Sequence, residues 1–562
     1  KDWPMKKLLP LVAAMALASQ AAYADNNTAT TTQDGAGNSA TTTQTNLVNS
    51  DATITQTGDN NSSEVSQANS TVAMHATVST TGNDNSANIT QDDSWQANAT
   101  ITQNGDMNGA DVTQNVWADG SDATVSQTGE GNDATIDQVN YSGRSTASIT
   151  QIDSYDASAL IEQYEATDSI ATIEQSNYSG KSDNGAEIQQ HDGDNLDASI
   201  IQESTVNDTA LIDQTGDTQI ANIHQKNYNV RGDTAITQTG NDNLAEIDQT
   251  WSGGSSAAVI QAGNDNVAGI DQYNSDDSSA DIDQNGSSLS ASISQKNAPG
   301  VGQGMGNNAD VSQTGSDNDA TIEQDGYENV ASVTQSDSGN NASASQTGDA
   351  NTATVTQTGI DQMATVTQAS DNSMALVTQA GASNDATVTQ LGDGNSATVD
   401  QTGVNQLATV DQDNNANTAN VTQSGSDQIA GVNQSGNANM ATATQVDSLN
   451  EAYIMQGGDG NSATVGQSGS NQLANINQSG DLNVSDILQS ADLNSADIAQ
   501  SGDFNDADID QSGSSNIATI NQSGLGLDGS MNTASITQFA NSDVASIIQM
   551  GGAGNSATII QQ

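Results

Sequence analysis

The protein has 562 residues, and 70 acidic residues against 8 basic ones give it a formal charge of −62 at pH 7. This charge excludes a nucleic-acid binder, which needs a basic surface for phosphate, and it equally excludes binding to anionic membrane surfaces. Hydrophobic residues make up only 33% of the chain. A typical globular domain is roughly 45–50% apolar, so a thick conventional core is excluded as well.

Residues 1–24 have the pattern of an export signal. Met5–Lys7 gives a positive start, Leu8–Ala18 is mostly apolar, and Ala22–Ala24 has the small-x-small form of a signal peptidase site. Residues 1–4 precede the expected initiator methionine and are interpreted as non-native. The mature chain is therefore expected to begin at Asp25 and to be secreted without inserting into a membrane.

From residue 25 onward one motif repeats, Ala-x-[Val/Ile]-x-Gln, and we count 46 units. In residues 25–295 the terminal Gln recurs at irregular intervals, commonly 11 residues alternating with 12 or 13. The interval 296–312 holds Pro299 among several glycines, which predicts a hinge or a long loop. In residues 313–562 the Gln recurs every 11 residues as far as Gln522, and the motif resumes after one gap.

Each unit is predicted to be a strand followed by a turn. The recurring residues lie two apart, as in Asn395, Ala397, Val399 and Gln401, and a period of two indicates a β-strand with this set facing inward. A unit of 11–13 residues cannot bury its inward face alone, so two facing strands form one coil and the coils stack at roughly 4.8 Å. The 46 units thus predict an all-β solenoid of about 23 two-strand coils. A glycine after the Gln allows the positive φ of a tight turn, and the candidate turn residues are Gly35, Gly58, Gly359 and Gly403.

The inward amides are the candidate structural ladder. A buried amide without partners costs roughly 1–3 kcal/mol, but in register each Gln donates to one neighbouring amide and accepts from the other. Such ladders are typical of cross-β packing. The candidates are Gln313, Gln324, Gln335, Gln357, Gln379, Asn395, Gln401, Gln423, Gln467, Gln511 and Gln522.

The segment Gln33–Gln44 has the full form Q-x-G-x-x-N-x-A-x-x-x-Q, and so does Gln456–Gln467. This pattern resembles the curlin repeat of bacterial curli, the extracellular amyloid fibres of biofilms. The resemblance implies a strand-turn-strand β-solenoid that polymerises end to end with itself. It also implies export through an outer-membrane pore of a Gram-negative bacterium and seeding by a surface nucleator. Carried over by position, Gln33, Asn38 and Gln44 would be ladder residues.

The two ends of the sequence also favour end-to-end assembly. The repeat starts almost directly after residue 24 and continues to Gln561, and neither end of the sequence shows a polar or helical cap. Monomeric solenoids usually cover their terminal coils, because an open strand edge recruits other strands. We therefore expect an uncapped solenoid that assembles end to end.

Aromatic and basic residues of the first half fall in the longer intervals between units. They form a candidate contact edge for a glycan, a neighbouring fibre or the cell surface. The alternative, which we prefer, is that longer loops tolerate any residue. The residues are Trp95, Trp117, Tyr141, Arg144, Tyr178, Tyr228 and Trp251.

Outward positions carry mainly Thr, Ser, Asn and Asp. Thr354 and Thr356 show the Thr-x-Thr spacing of ice-binding solenoids, but Asp400 interrupts the equivalent pair after Thr398, so ice binding fits weakly. Outward carboxylates are candidate Ca²⁺ ligands where stacked coils bring them together. A solvated charged face is the alternative that we prefer. The candidates are Asp400, Asp411 and Asp510.

No arrangement for catalysis is recognisable in the sequence. Cysteine is absent, the three histidines are scattered, and the repeat distributes the carboxylates evenly. We therefore expect no enzyme and no cofactor apart from the Ca²⁺ candidates. The leading hypothesis is a secreted structural protein that polymerises into curli-like amyloid fibres of the biofilm matrix. The alternative is a monomeric acidic β-solenoid that acts as a surface adhesin or an ice-binding protein.

Overall fold

The computed structural model describes residues 26–176, 184–227, 229–297, 306–526 and 530–562. Within these ranges the chain forms 46 β-strands and no helix, which confirms the predicted all-β solenoid. The predicted signal segment, Pro299, Tyr178 and Tyr228 lie outside the described residues. The part of the chain that the structure describes contains no helix of the length and apolarity needed to cross a bilayer.

The strands alternate between two parallel sheets of 23 strands each, so one strand of each sheet makes one coil. The odd sheet consists of β1 (Thr28–Asp34), β3 (Asp51–Thr57), β5 (His75–Thr81), β7 (Asn98–Asp106), β9 (Asp122–Glu130), β11 (Thr146–Tyr155), β13 (Ile170–Ser176), β15 (Asp197–Glu203), β17 (Ile220–Lys226), β19 (Leu244–Thr250), β21 (Val267–Tyr273), β23 (Ser290–Lys296), β25 (Asp319–Asp325), β27 (Asn341–Thr347), β29 (Met363–Gln368), β31 (Asp385–Gln390), β33 (Leu407–Gln412), β35 (Ile429–Gln434), β37 (Glu451–Gln456), β39 (Leu473–Gln478), β41 (Ser495–Gln500), β43 (Ile517–Gln522) and β45 (Val544–Gln549).

The even sheet faces it and consists of β2 (Ser39–Leu47), β4 (Ser62–Ser70), β6 (Ser86–Asp92), β8 (Gly109–Asn115), β10 (Asp133–Val139), β12 (Ser158–Thr167), β14 (Gly185–Asp194), β16 (Thr209–Asp217), β18 (Asp233–Asn241), β20 (Ser256–Asn264), β22 (Ser279–Ser287), β24 (Asn308–Ser316), β26 (Val330–Ser338), β28 (Thr352–Ile360), β30 (Met374–Ala382), β32 (Ser396–Val404), β34 (Thr418–Ser426), β36 (Met440–Ser448), β38 (Ser462–Ser468), β40 (Val484–Gln489), β42 (Asn505–Gln511), β44 (Asn532–Gln538) and β46 (Ser556–Gln561).

Strands of successive coils pair in register, apart from one shift between β9 and β11 after Gln151. In β31 and β33, for example, Ala386 lies beside Ala408 and Gln390 beside Gln412. The same motif position therefore forms a continuous column along the solenoid. The Ala and Val or Ile columns of the two sheets face each other and form one thin, elongated core, in which residues such as Ile136 and Val399 have 0% exposure.

The sheets continue without interruption across the predicted hinge or loop at 296–312. β22 pairs with β24, and β23 pairs with β25, although residues 298–305 between them lie outside the described ranges. The Gln columns also cross this interval, since Gln284 donates to Gln313 at 2.9 Å and Gln295 donates to Gln324 at 2.9 Å. The irregular and regular stretches of the sequence thus share the same two sheets.

Candidate functional site

The Gln columns hold neighbouring coils together and also join the two sheets. The Gln401 Nε2 group donates to the Oε1 atom of Gln423 at 2.9 Å and to the backbone oxygen of Asp385 in the opposite sheet at 3.0 Å. Its own Oε1 atom accepts from Gln379 at 2.8 Å. The side chain is fully buried at 0% exposure. Each Gln therefore contacts the coil before it, the coil after it and the facing strand.

The other Gln residues named from the sequence make the same bond to the next coil, at distances between 2.6 and 2.9 Å. These are Gln33, Gln44, Gln313, Gln324, Gln335, Gln357, Gln379, Gln423, Gln467, Gln511 and Gln522. Gln33 and Gln44 are only partly buried, because they lie in the first coil that the structure describes.

The Asn columns combine amide-to-amide bonds with bonds to the turn backbone. The predicted amide ladder is present at Asn38, whose Oδ1 accepts from Asn61 Nδ2 at 3.2 Å, but at Asn395 the bonds go to the backbone. Asn395 Oδ1 accepts from the backbone N–H of Asn417 at 2.9 Å, and its Nδ2 group donates to the backbone oxygen of Gly392 at 2.8 Å. Asn38 likewise accepts from the backbone of Asn61 at 2.9 Å and donates to Gly58 at 2.7 Å. Because Asn is one methylene shorter than Gln, its amide reaches the adjacent turn backbone. The Asn columns therefore stabilise the turns.

One motif break interrupts a Gln column. Thr80 stands where the repeat places Gln and is fully buried between Gln56 and Gln103. Its hydroxyl is too short to bridge the two amides, and among the described residues neither the Thr80 hydroxyl nor Gln103 Oε1 has a hydrogen-bond partner. Gln103 Oε1 therefore lacks the amide donor that a Gln at position 80 would supply.

The turn glycines are required by the stacking of the turns as well as by their conformation. Gly35, Gly58, Gly359 and Gly403 have φ values of 122°, 112°, 128° and 145°. A Cβ atom on Gly403 would clash with the backbone oxygen of Gly425 in the next coil. Sequence reasoning identified the positive φ but missed this close approach, which depends on the registration of adjacent turns.

Substituting Gly403 with Ala is expected to destabilise the coils of β32 and β34. The left-handed backbone costs an L-residue about 1–2 kcal/mol, and the clash with Gly425 adds to this. Gly394 is the matched control, since its φ is 66° and a Cβ atom there meets no atom within 4 Å. Hydrogen exchange of both variants should show a larger loss of protection for Gly403→Ala than for Gly394→Ala. Equal losses would contradict a steric role for turn stacking.

A protein-family model gives the same repeat. The curlin associated repeat matches residues 49–92, 276–315, 315–348, 339–369, 348–381, 370–403, 381–413, 415–446, 449–480, 469–502 and 492–524, which together cover just over half of the chain. The chain belongs to the curlin-repeat family. No curated protein matches the chain.

Membership of the curlin-repeat family carries functional information at a coarse level. Curlin repeats and a β-solenoid fold are typical of structural proteins rather than catalysts, and they are typical of extracellular or cell-surface proteins. In this curlin-repeat protein the amide columns are the contacts that join one coil to the next, so they are the candidate functional site.

The candidate contact edge is divided between the two edges of this curlin-repeat solenoid. Trp95, Trp117 and Tyr141 lie in the connections from even to odd strands, whereas Trp251 lies in a connection from an odd to an even strand. The longer connection moves from one edge to the other along the chain, so interval length alone does not assign an edge. Tyr178 and Tyr228 fall outside the described residues.

The first three of these aromatic residues form a column. The ring centroids of Trp95 and Trp117 are 6.1 Å apart, and those of Trp117 and Tyr141 are 5.8 Å apart with planes inclined by 20°. Arg144 lies in the same connection as Tyr141 and forms an ion pair with Asp168 of the next coil. The rings and the cation therefore make contacts between coils of this curlin-repeat chain.

The three Ca²⁺ candidates do not come together. Asp400 and Asp510 lie on the even sheet, and Asp411 lies on the odd sheet. The residues beside Asp400 in the neighbouring coils are Thr378 and Thr422. Within the described ranges no three acidic or histidine side chains are placed to share a metal ion.

A shallow groove of about 370 Å³ crosses the outer face of the odd sheet around β35 and β37. Tyr453 and Met455 line it, and a Cβ atom on Gly431 would lie 3.1 Å from the Tyr453 ring. The Tyr453 hydroxyl donates to Glu451 at 3.3 Å. The Tyr453 ring therefore occupies the space that Gly431 leaves open.

Proposed function

We propose that this chain is a secreted structural subunit that polymerises end to end into extracellular curli-like amyloid fibres of the biofilm matrix. The proposal rests chiefly on the Gln columns, in which Gln379, Gln401 and Gln423 bond from coil to coil along one line at 2.8–2.9 Å. A coil supplied by a second copy can continue these columns with the contacts that already join coils within the chain. Growth of a filament then needs no separate interface.

The hydrogen-bonding capacity of each coil supports this proposal. In the Gln columns a side chain such as Gln401 donates to the next coil and accepts from the previous one, so a coil without a neighbour leaves these buried amides incompletely paired. An unpaired amide costs roughly 1–3 kcal/mol, and addition of a further coil removes that cost.

Electron microscopy and fibre diffraction of the purified full-length protein test the proposal together. We expect filaments many times longer than one solenoid, which measures on the order of 110 Å at the strand spacing of a β-sheet. We also expect a meridional reflection near 4.7–4.8 Å. Discrete rods of a single length would contradict polymerisation and would support the monomeric solenoid instead.

Charge is the main barrier to this assembly. A charge of −62 over 23 coils leaves about three negative charges on each coil, so every new contact brings like charges together. Burial first, and then the neighbouring charges of Asp281 and Asp283, raise the pKa of Asp310 on the even sheet. A raised pKa means that this carboxyl takes up a proton at a higher pH than an ordinary Asp, so mild acid removes repulsion at such positions.

Assembly is therefore expected to accelerate with added salt, with mild acid and with Ca²⁺. Raising the ionic strength from 0.1 M to 1 M shortens the screening length from about 10 Å to about 3 Å, which is less than the spacing between adjacent coils. Amyloid-dye kinetics should show a shorter lag time as salt rises or pH falls. A lag time that does not change with either condition would remove the electrostatic barrier from the explanation.

The remaining partners are part of the same proposal. By resemblance to curli, we propose that the chain is exported through an outer-membrane pore and seeded by a surface nucleator, which would attach the fibre to the surface of a Gram-negative cell. Secretion of the full-length chain by cells with and without a curli-type pore tests this step. Equal secretion from both strains would contradict the use of the pore.

A further inference from the structure

One stretch of the odd sheet presents an uncharged, regular array of hydroxyl groups. We call it the hydroxyl face and define it by the second, third and fourth outward positions of five neighbouring strands of the odd sheet, β3, β5, β7, β9 and β11. Thirteen of these fifteen residues are Thr or Ser, and the other two are Asn104 and Ile152. The thirteen are Thr53, Thr55, Thr57, Thr77, Ser79, Thr81, Thr100, Thr102, Thr124, Ser126, Thr128, Ser148 and Thr150.

The even sheet of the same coils has the opposite character. Its fifteen equivalent positions in β4, β6, β8, β10 and β12 include five acidic residues, Glu64, Asp92, Asp111, Asp137 and Glu162. Alternate units of the sequence belong to different sheets, so the fold separates the threonine-rich units from the acidic ones. The interruption by Asp400 that counted against a threonine array lies on the even sheet, in β32, and does not affect the hydroxyl face.

The array repeats in two directions. Thr53 lies beside Thr77, Thr77 beside Thr100, and Thr100 beside Thr124, all in unshifted register. Strand geometry gives spacings of about 4.8 Å between coils and about 6.6–6.8 Å between successive outward residues. Side-chain ladders below a sheet oppose its twist. Such a ladder lies under β7, β9 and β11, where Gln103 donates to Gln127 at 2.9 Å and Gln127 to Gln151 at 2.9 Å, while Thr80 interrupts it under β5.

The chemistry of these side chains suits an ordered layer of water. Threonine is stiff at χ1 because it is β-branched, so each residue presents a hydroxyl and a methyl group in a limited set of positions. The hydroxyl groups donate to and accept from water. The methyl groups exclude water from the space that they occupy, so water fits between the columns of threonine side chains. A carboxylate would orient the surrounding water around itself and break the regular layer. None of the fifteen positions of the face carries such a group, and the carboxylates around it lie at its borders, at Asp51, Asp106, Asp122, Glu130 and Asp153.

We propose that the hydroxyl face binds the surface of ice. Each face of an ice crystal presents a two-dimensional array of oxygen atoms that form hydrogen bonds. The hydroxyl face presents a neutral array of hydroxyl groups, which can donate to and accept from those oxygen atoms, and the β-sheet holds this array in place. A second copy of the chain is the competing occupant. The face measures only about 300 Å², well below the roughly 800 Å² that each partner buries in a stable protein–protein interface.

The test compares one substitution on each sheet in the full-length protein, kept monomeric at low ionic strength. Thr102→Lys places a long charged side chain in the middle of the hydroxyl face, and Thr90→Lys places the same side chain at the equivalent position of the even sheet. Both threonines are exposed, so neither change disturbs the core. Inhibition of ice recrystallisation and incorporation of the protein into slowly growing ice are measured for each variant, with circular dichroism as the check on folding.

Wild type and Thr90→Lys are expected to inhibit recrystallisation alike. Thr102→Lys should need at least about tenfold more protein, the factor that corresponds to about 1.4 kcal/mol of binding free energy. Equal activity of the two variants, or exclusion of the wild-type protein from growing ice, would overturn the proposal. If Thr102→Lys instead abolishes only the side-by-side association of filaments in electron micrographs, the hydroxyl face is a contact between copies and the ice assignment is wrong.

Discussion

Replacing Gln379, Gln401 and Gln423 together with Ala is expected to lower the free energy of unfolding of β30 to β34 by about 3–9 kcal/mol. Each substitution removes a buried amide, and an unpaired partner costs roughly 1–3 kcal/mol. The loss extends to the flanking coils, because Gln357 donates to Gln379 at 2.8 Å and Gln445 accepts from Gln423 at 2.8 Å. The three positions are neighbours in one column, so their effects need not be additive.

Hydrogen exchange resolved to individual coils is the appropriate measurement, since a solenoid opens locally and has no single unfolding equilibrium. The matched control replaces Thr378, Thr398 and Thr422 of the same strands with Ala. These side chains face outward and are not buried, so their loss is expected to change protection by a fraction of the Gln effect. If both triple variants lose protection equally, the amide columns do not provide the cohesion assigned to them.

The second large effect is expected at Asp208, which occupies an inward Asn position. The side chain has 0% exposure, and burial raises its pKa to about 7, although a hydrogen bond from the backbone of Gly232 at 2.6 Å partly opposes the rise. Its Oδ2 atom has no hydrogen-bond partner among the residues that the structure describes. At the equivalent position one coil earlier, Asn184 uses its Nδ2 group to donate to Thr205 at 2.7 Å.

The variant Asp208→Asn is expected to stabilise the coils around β16 at pH 8 and to have little effect at pH 4. A carboxyl with a raised pKa binds its proton more tightly in the folded state, so wild-type stability is full below about pH 3.8 and declines as pH rises to about 7. At about 1.36 kcal/mol per pH unit this decline amounts to about 4 kcal/mol, which Asn avoids because it carries no charge.

Chemical denaturation and hydrogen exchange of wild type and Asp208→Asn between pH 4 and pH 8 measure this difference directly. Other carboxylates titrate in both proteins, so the difference between the two curves isolates Asp208. Asp242→Asn is the control, since Asp242 is exposed in a nearby turn. A stability gain for Asp208→Asn that is the same at every pH would show that the missing donor matters and the charge does not.

Much of the fold was predictable because each unit repeats the same pattern of inward, outward and turn residues. Ala397, Val399 and Gln401 alternate with polar residues, so the strand and its inward face follow from a period of two. A column of Gln residues follows from stacking, because parallel in-register strands place the same motif position side by side. The turn at Gly403 was predictable from its position, since tight turns need a residue that tolerates positive φ.

Other properties of the candidate sites were not predictable from single units. Asn395 was expected to bond to other amides, but its shorter side chain meets the turn backbone first. The interval lengths did not show whether Trp95 and Trp251 share an edge, and the structure places them on opposite edges because the longer connection changes edge between them. Asp208 stands at the inward Asn position of its unit, so its burial followed from the period of two, but the lack of a partner for its Oδ2 atom depended on the surrounding turns.

The amino-acid sequence by itself determined the strands, the inward residues and the family, because these depend on spacing within a unit and on its repetition. The predicted two-strand coil already assigned alternate units to opposite sheets, and the tertiary structure decided at which edge each connection lies and how the side chains of stacked coils meet. Alternate strands belong to opposite sheets, so residues that are neighbours along the chain, such as Thr102 and Asp111, lie on different faces. Residues 23 or 24 apart, such as Thr77 and Thr100, become direct neighbours through the register of the coils.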